Sequence, residues 1–237
     1  MQRIIKYTAL FLTVFSVYSQ GNNKRKPEIN LPNYDARRIH FGFILAGNYT
    51  TYRAKNSEYF YQINDTLKRI ETTGNGGFTL GFIFNAHLHE HIDFRFTPQV
   101  AFYQRGVDYT FYNLSTKKYT TENYSVEATF VEFPLLIKYK SQRRNNFGMY
   151  VIGGIKPSLS TSNKNKDQRP DKLRFNNKDF ALEYGVGCDI YFPLFKLSPE
   201  IRFSNGFNNM RAADNNLFAK SLQKLNTNTI TFLLNFE

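Results

Sequence analysis

Residues 126–139 read V-E-A-T-F-V-E-F-P-L-L-I-K-Y, and their period decides the fold. Phe133, Leu135, Ile137 and Tyr139 fall on one face of an extended chain, and Ala128, Phe130, Glu132, Pro134, Leu136 and Lys138 on the other. Side chains of a strand alternate between faces, so this period is β. The stretch is longer than the usual globular strand of about 5–6 residues, and about 9–11 suffice to cross a bilayer at a tilt. Its second face places Glu132 and Lys138 among apolar and small neighbours, which is unlike a solvated sheet face.

The same alternation recurs at 39–49, 77–88, 92–112, 147–159, 180–192, 196–207 and 227–236. Ile39, Phe41, Phe43, Leu45 and Tyr49, for example, oppose His40, Gly42, Ile44, Ala46 and Asn48. Together with 126–139 these make eight strands, an even number, as closure of an antiparallel outer-membrane barrel requires. Residues 51–76, 113–123, 160–179 and 208–226 are long and polar, whereas 89–91, 141–146 and 193–195 are tight turns. Bacterial outer-membrane barrels have short periplasmic turns and longer outside loops. The prediction is therefore an all-β, eight-stranded antiparallel up-and-down transmembrane β-barrel with both termini periplasmic. L-F-A-K-S-L-Q-K-L at 217–225 carries apolar residues at helical spacing and predicts a short surface helix.

A soluble ligand-binding barrel would show this alternation turned inside out. The polar face favours the membrane, because Gly42, Ala46, Thr79, Gly81, Gly148, Gly154, Gly185 and Gly187 stand where a solvated face would be crowded with Lys and Glu. The N-terminus agrees. Arg3 and Lys6 precede the apolar run Thr8–Val17, and Val17-Tyr18-Ser19 leads to Gln20, the layout of a cleaved secretory signal over residues 1–19. No later stretch approaches about 18 consecutive apolar residues, so any crossing is by strands. Residues 20–37, with two prolines and no period, are expected to form an extended periplasmic arm, and residues 38–237 the barrel.

Removing Arg3 and Lys6 with the leader lowers the formal charge from +12 to +10. Cys188 is alone, so no internal disulfide forms. Phe (24) and Tyr (16) dominate over an absent Trp, a load that favours sheet.

Asp93, Arg95, Glu132, Lys138, Lys156, Glu183, Asp189, Glu200 and Arg202 fall on the inward face. Side chains just fill an eight-stranded barrel, so these are expected to form a structural ion network, with a proton or substrate path as the alternative. His87, His89 and His91 span a predicted turn and need not share a face, so no metal site is expected. Gly74, Gly76 and Gly77 lack the Lys-Ser/Thr and following helix of a phosphate loop, and no Ser stands in an elbow motif. No cofactor or catalytic residue is predicted. The basic loop Asn163–Asp179 can meet lipopolysaccharide phosphates or an acidic protein, or stay solvated. Basic groups scattered over separate loops of an exported chain give no support for nucleic-acid binding.

H-I-D-F-R-F-T-P-Q-V-A-F-Y-Q-R-G (91–106) and V-E-F-P-L-L-I-K-Y-K (131–140) resemble the outer-membrane β-barrel family of Bacteroidota, and the resemblance covers nearly all of the mature chain. N-L-P-N-Y-D-A-R-R-I-H-F-G-F (30–43) is similar more narrowly to the PorT/SprT family of the type IX secretion system. It departs from barrel assembly signals where Glu237 follows Phe236. The resemblance implies a non-enzymatic outer-membrane accessory needed to secrete proteins with C-terminal targeting domains, and for gliding motility where that occurs. Its expected surroundings are outer-membrane lipid, lipopolysaccharide and other type IX components, with Leu31, Pro32, Asn33, Tyr34, Asp35, Arg37 and Arg38 as the docking arm. A lipid-modifying barrel enzyme and a small porin or ligand carrier are the alternatives.

Overall fold

The computed structural model describes residues 28–62, 67–113, 118–161, 176–211 and 220–237. In chain order they form β1 (Ile39–Asn56), a five-residue helix α1 (Glu58–Gln62), β2 (Leu67–His89), β3 (Ile92–Phe96), β4 (Gln99–Asn113), β5 (Lys118–Glu132), β6 (Leu135–Lys140), β7 (Phe147–Ser160), β8 (Lys178–Tyr191), β9 (Lys196–Gly206) and β10 (Leu222–Phe236). Each strand pairs antiparallel with its neighbours, and β1 bonds to both β2 and β10, which closes the sheet into a ring.

The ring has eight strands because β3 with β4, and β5 with β6, are each one strand briefly interrupted. Register proves the continuity: Phe96 faces Leu135 below the break and Gln99 faces Glu132 above it, with no residue gained or lost. The breaks fall at Thr97-Pro98 and Phe133-Pro134. Proline has no N–H to give the ladder. The carbonyls remain bonded, since Phe82 N–H donates to Pro98 O (2.9 Å), Thr97 N–H to Pro134 O (3.1 Å) and Phe133 N–H to Pro157 O (2.9 Å). Three prolines in adjacent strands are thus stitched at one level of the wall.

Alternation puts Phe41 and Phe82, each 72% exposed, on the outside. It puts His40, Ile44, Asn48, Arg95 and Lys138 inside. On β1 the outward apolar rows run from Ile39 to Tyr49. Ten residue steps at ~3.3 Å, tilted by ~40°, give a band of roughly 25 Å, the height expected of an outer-membrane barrel. Phe43 stacks on Phe236 across the closing seam (4.8 Å) and Phe78 on Phe102 (4.4 Å).

The segments expected as long loops differ. β1 continues to Asn56, β2 begins at Leu67, β5 at Lys118 and β10 at Leu222, so hairpins extend beyond the bilayer: much of 51–76 and 113–123 is strand, as are the last residues of 208–226. Above the lipid both faces meet polar surroundings or one another, so Thr, Tyr and Asn replace the apolar alternation that marks a crossing segment. The helix expected over 217–225 is overturned at its end, because Leu222–Leu225 pairs with β1. Residues 217–219, the leader 1–19, residues 20–27 and loop residues 163–175 lie outside the described residues.

Candidate functional site

Three layers fill the barrel from the periplasmic mouth outward. The first is the arm. Residues 28–38 do not run extended; they turn at 32–36, with Tyr34 N–H donating to Leu31 O (3.1 Å), and lie across the mouth. Leu31 takes φ 48° to begin that turn. The Tyr34 ring stacks on His40 (4.1 Å), carries Lys196 Nζ over its face (4.5 Å) and donates its hydroxyl to Glu237 Oε2 (3.1 Å). Burial, then the Glu237 carboxylate beside it, push the Tyr34 phenol pKa well above its ordinary value, so it stays protonated and donating. Asp35 accepts from Tyr191 Oη (3.1 Å) and stands 3.6 Å from Arg143 and 3.9 Å from Lys140. Arg143 also donates to Leu31 O (3.3 Å) and Asn30 O, and lies over the Tyr191 ring (3.7 Å).

Tyr34 and Asp35 are therefore turned into the mouth and Leu31 is half-buried, while Pro32, Asn33, Arg37 and Arg38 remain exposed to the periplasm. We expect Tyr34→Ala to free the arm without unfolding the barrel. Limited proteolysis of the inserted protein should then cleave within residues 28–38 at least tenfold faster, with the heat-modifiable gel mobility of the folded barrel unchanged. Equal cleavage rates would show that Tyr34 does not hold the arm.

The second layer is ionic. Asp93, Arg95, Glu132, Lys138, Lys156, Glu183, Asp189, Glu200 and Arg202 all point into the lumen and are buried. Lys138 Nζ donates to both oxygens of Asp189 (2.9 and 2.7 Å) and sits over the Tyr150 ring (3.7 Å). Lys156 lies 3.4 Å from Glu132, which also accepts from Gln99 Nε2 (2.7 Å) and Tyr103 Oη (2.8 Å). Arg202 bonds Glu200 and lies 3.7 Å from Glu183, while Arg95 lies 3.5 Å from Glu200. Tyr150 Oη donates to Glu200 (2.6 Å). Asp93 accepts from Asn85 (3.1 Å) and lies 3.4 Å from Lys140.

Glu237 joins this layer and was not singled out from sequence. Its carboxylate is fully buried, 2.7 Å from Arg95 and 3.1 Å from Lys196, and its backbone pairs with Lys196 in both directions. One more step of the alternation past outward Phe236 would have turned it inward. Charges this deep are held only where partners satisfy them. The network joins β3, β5, β6, β7, β8 and β9 and fixes their register from within.

His87 lies in β2, within the strand expected at 77–88, and pairs through Nδ1 with Asp93 Oδ1 (2.8 Å). Among the described residues, no three His, Cys, Asp or Glu side chains gather as metal ligands.

The third layer is apolar. Tyr52, Phe60, Leu67, Val107, Tyr109, Met210, Leu222 and Leu225 close the outer end, with Phe60 supplied by α1. Arg105 marks the boundary: its Nε donates to Thr50 (2.8 Å), and its guanidinium lies over Tyr103 (4.4 Å), Tyr52 and Phe130 (both 5.5 Å). Sequence reading missed this layer because most of its residues, Tyr52, Phe60, Leu67, Met210, Leu222 and Leu225, come from segments expected as polar loops, and only Val107 and Tyr109 from an expected strand. Among the described residues, side chains thus occupy the lumen at the mouth, the middle and the outer end.

Residues 18–211 match the family model described as outer membrane protein beta-barrel domain. The fold is similar to that of three solved outer-membrane proteins. OprG of Pseudomonas aeruginosa is 12% identical, with 84% of this chain and 95% of that chain covered and a TM-score of 0.44. Neisserial surface protein A is 10% identical, with 81% and 95% covered and a TM-score of 0.39. The attachment invasion locus protein Ail of Yersinia pestis is 9% identical, with 84% and 98% covered and a TM-score of 0.36. No curated protein matches the chain.

Proposed function

We propose, from the premise that the chain belongs to the outer membrane protein beta-barrel domain family and lies in the outer membrane, that it is a non-catalytic scaffold of the type IX secretion system. The observation that carries this reading is the arm. Its inward residues Tyr34 and Asp35 fasten it to the mouth, and its exposed residues Pro32, Asn33, Arg37 and Arg38 face the periplasm. A barrel that holds a short segment rigidly outside its mouth presents a preorganised contact surface, which lowers the ordering cost of binding a partner. The same segment carries the similarity of residues 30–43 to the PorT/SprT family. With the lumen occupied, the activity falls to surfaces rather than to a channel. The proposed partners are other components of that secretion system, and the proposed role includes gliding motility where it occurs.

The test is secretion in a deletion strain. Cargo proteins with C-terminal targeting domains should accumulate in the periplasm and fall at least tenfold in the medium. The wild-type gene should restore export, and a gene carrying Arg37→Ser and Arg38→Ser should restore it only in part. Normal export in the deletion strain would overturn the proposal.

A further inference from the structure

Above the last apolar row of the lipid-facing wall, where Tyr49 pairs with Ile230, strands β1 and β10 carry three further outward rows: Thr51 with Asn228, Arg53 with Asn226, and Lys55 with Lys224. Arg53, Lys55 and Lys224 are exposed, and no described acid pairs with any of them. Lys55 and Lys224 are directly opposite each other across the ladder. Like charges so placed repel, and a strand pair that keeps them pays a standing cost unless an anion sits between them. The three cations border a groove of about 540 Å³ that also takes in Asn205, Asn228 and Phe207. Phe207, 54% exposed, continues the outward face of β9 beside Asn226, whose amide donates to Gly206 O (2.8 Å).

Height narrows the ligand. Two residue steps along a strand tilted by ~40° rise roughly 5 Å, so Arg53 stands ~10 Å and Lys55 ~15 Å above the Tyr49 row. Both backbones thus stand beyond the headgroup layer, which spans about 5–8 Å on each side of the hydrocarbon, and the long Arg and Lys side chains can reach back down to it. The groove combines cations for phosphate, a side-chain amide for hydroxyls and an aromatic ring for the apolar face of a sugar.

We propose that this groove binds the phosphorylated saccharide headgroup of a glycolipid of the outer leaflet. Arg53, Lys55 and Lys224 take the phosphates, Asn228 the sugar hydroxyls and Phe207 the ring face. The site is separate from the arm and does not depend on the secretion role.

The test uses the full-length barrel in nonionic detergent, with native mass spectrometry reading bound bis-phosphorylated lipid A. The wild type should retain it. A variant carrying R53N, K55T and K224T should bind about 100-fold more weakly, as expected for the loss of three cations near a charged membrane surface. K55R with K224R should keep binding, which separates lost charge from a misfolded wall. K68T with K118T, elsewhere on the same rim, should bind as wild type. Lipid A stripped of phosphate should bind no better to wild type than to the triple variant. Equal retention by the triple variant, equal loss in K68T with K118T, or full displacement by millimolar inorganic phosphate would each overturn the proposal, the last by reducing the site to one for a free anion.

Discussion

Glu237→Ala should lower the unfolding free energy of the inserted barrel by about 3–5 kcal/mol, the cost of stripping one partner from a buried ion pair. The carboxylate is shielded from solvent and answers Arg95 at 2.7 Å, Lys196 at 3.1 Å and the Tyr34 hydroxyl at 3.1 Å. Its removal leaves two cations facing each other in the lumen and cuts the arm's inner anchor. Glu237→Gln keeps hydrogen bonding to Tyr34 but not the charge, and should fall between wild type and alanine. Urea unfolding in phospholipid vesicles measures both variants. A loss below about 1 kcal/mol for alanine would mean that water or neighbouring carboxylates compensate the cations, and the layered account of the mouth would fail.

Gly154→Val should prevent the folded barrel from forming, with a cost above about 3 kcal/mol because the clash is with backbone rather than with a side chain that can move. A Cβ at Gly154 would lie 2.0 Å from Leu135 O and 2.9 Å from Leu136 Cα, where β6 resumes after the Pro134 interruption. Gly47→Val is the control. A Cβ there meets nothing within 4 Å, and valine suits a lipid-facing strand. Heat-modifiable gel mobility after refolding should be lost in the first and kept in the second. If Gly154→Val folds as readily as Gly47→Val, the close approach of β6 and β7 is wrong.

What the sequence disclosed follows from where alternation is enforced. Between lipid and lumen every second residue must be apolar, so the eight crossing segments, the inward turn of Arg95, Glu132, Lys138 and Arg202, and the short periplasmic turns were all legible. Beyond the lipid that constraint lapses. Tyr52, Leu67 and Leu225 occupy polar stretches whose strands are recognisable only once their partners are known. The pairing of individual ions was also hidden. Periodicity says that Lys138 and Asp189 face inward, but only the register of β6, β7 and β8 brings them within 2.7 Å. Pro98 and Pro134 were visible as letters, and their alignment at one height of the wall was not. Tyr34 lies in a segment without period, and nothing local announces that its ring enters the mouth.

The two sides of this wall are bound to inherit change differently. Outside, Phe41, Leu80 or Val186 meets only hydrocarbon, and one apolar side chain can drift to another in a single step. Inside, Lys138 with Asp189, or Arg95 with Glu237, can change only together or through a costly intermediate. Lineages of this barrel should therefore diverge quickly on the lipid face and show paired substitutions in the lumen, so that homologues become hard to recognise by identity while their interiors keep a common ledger of charge.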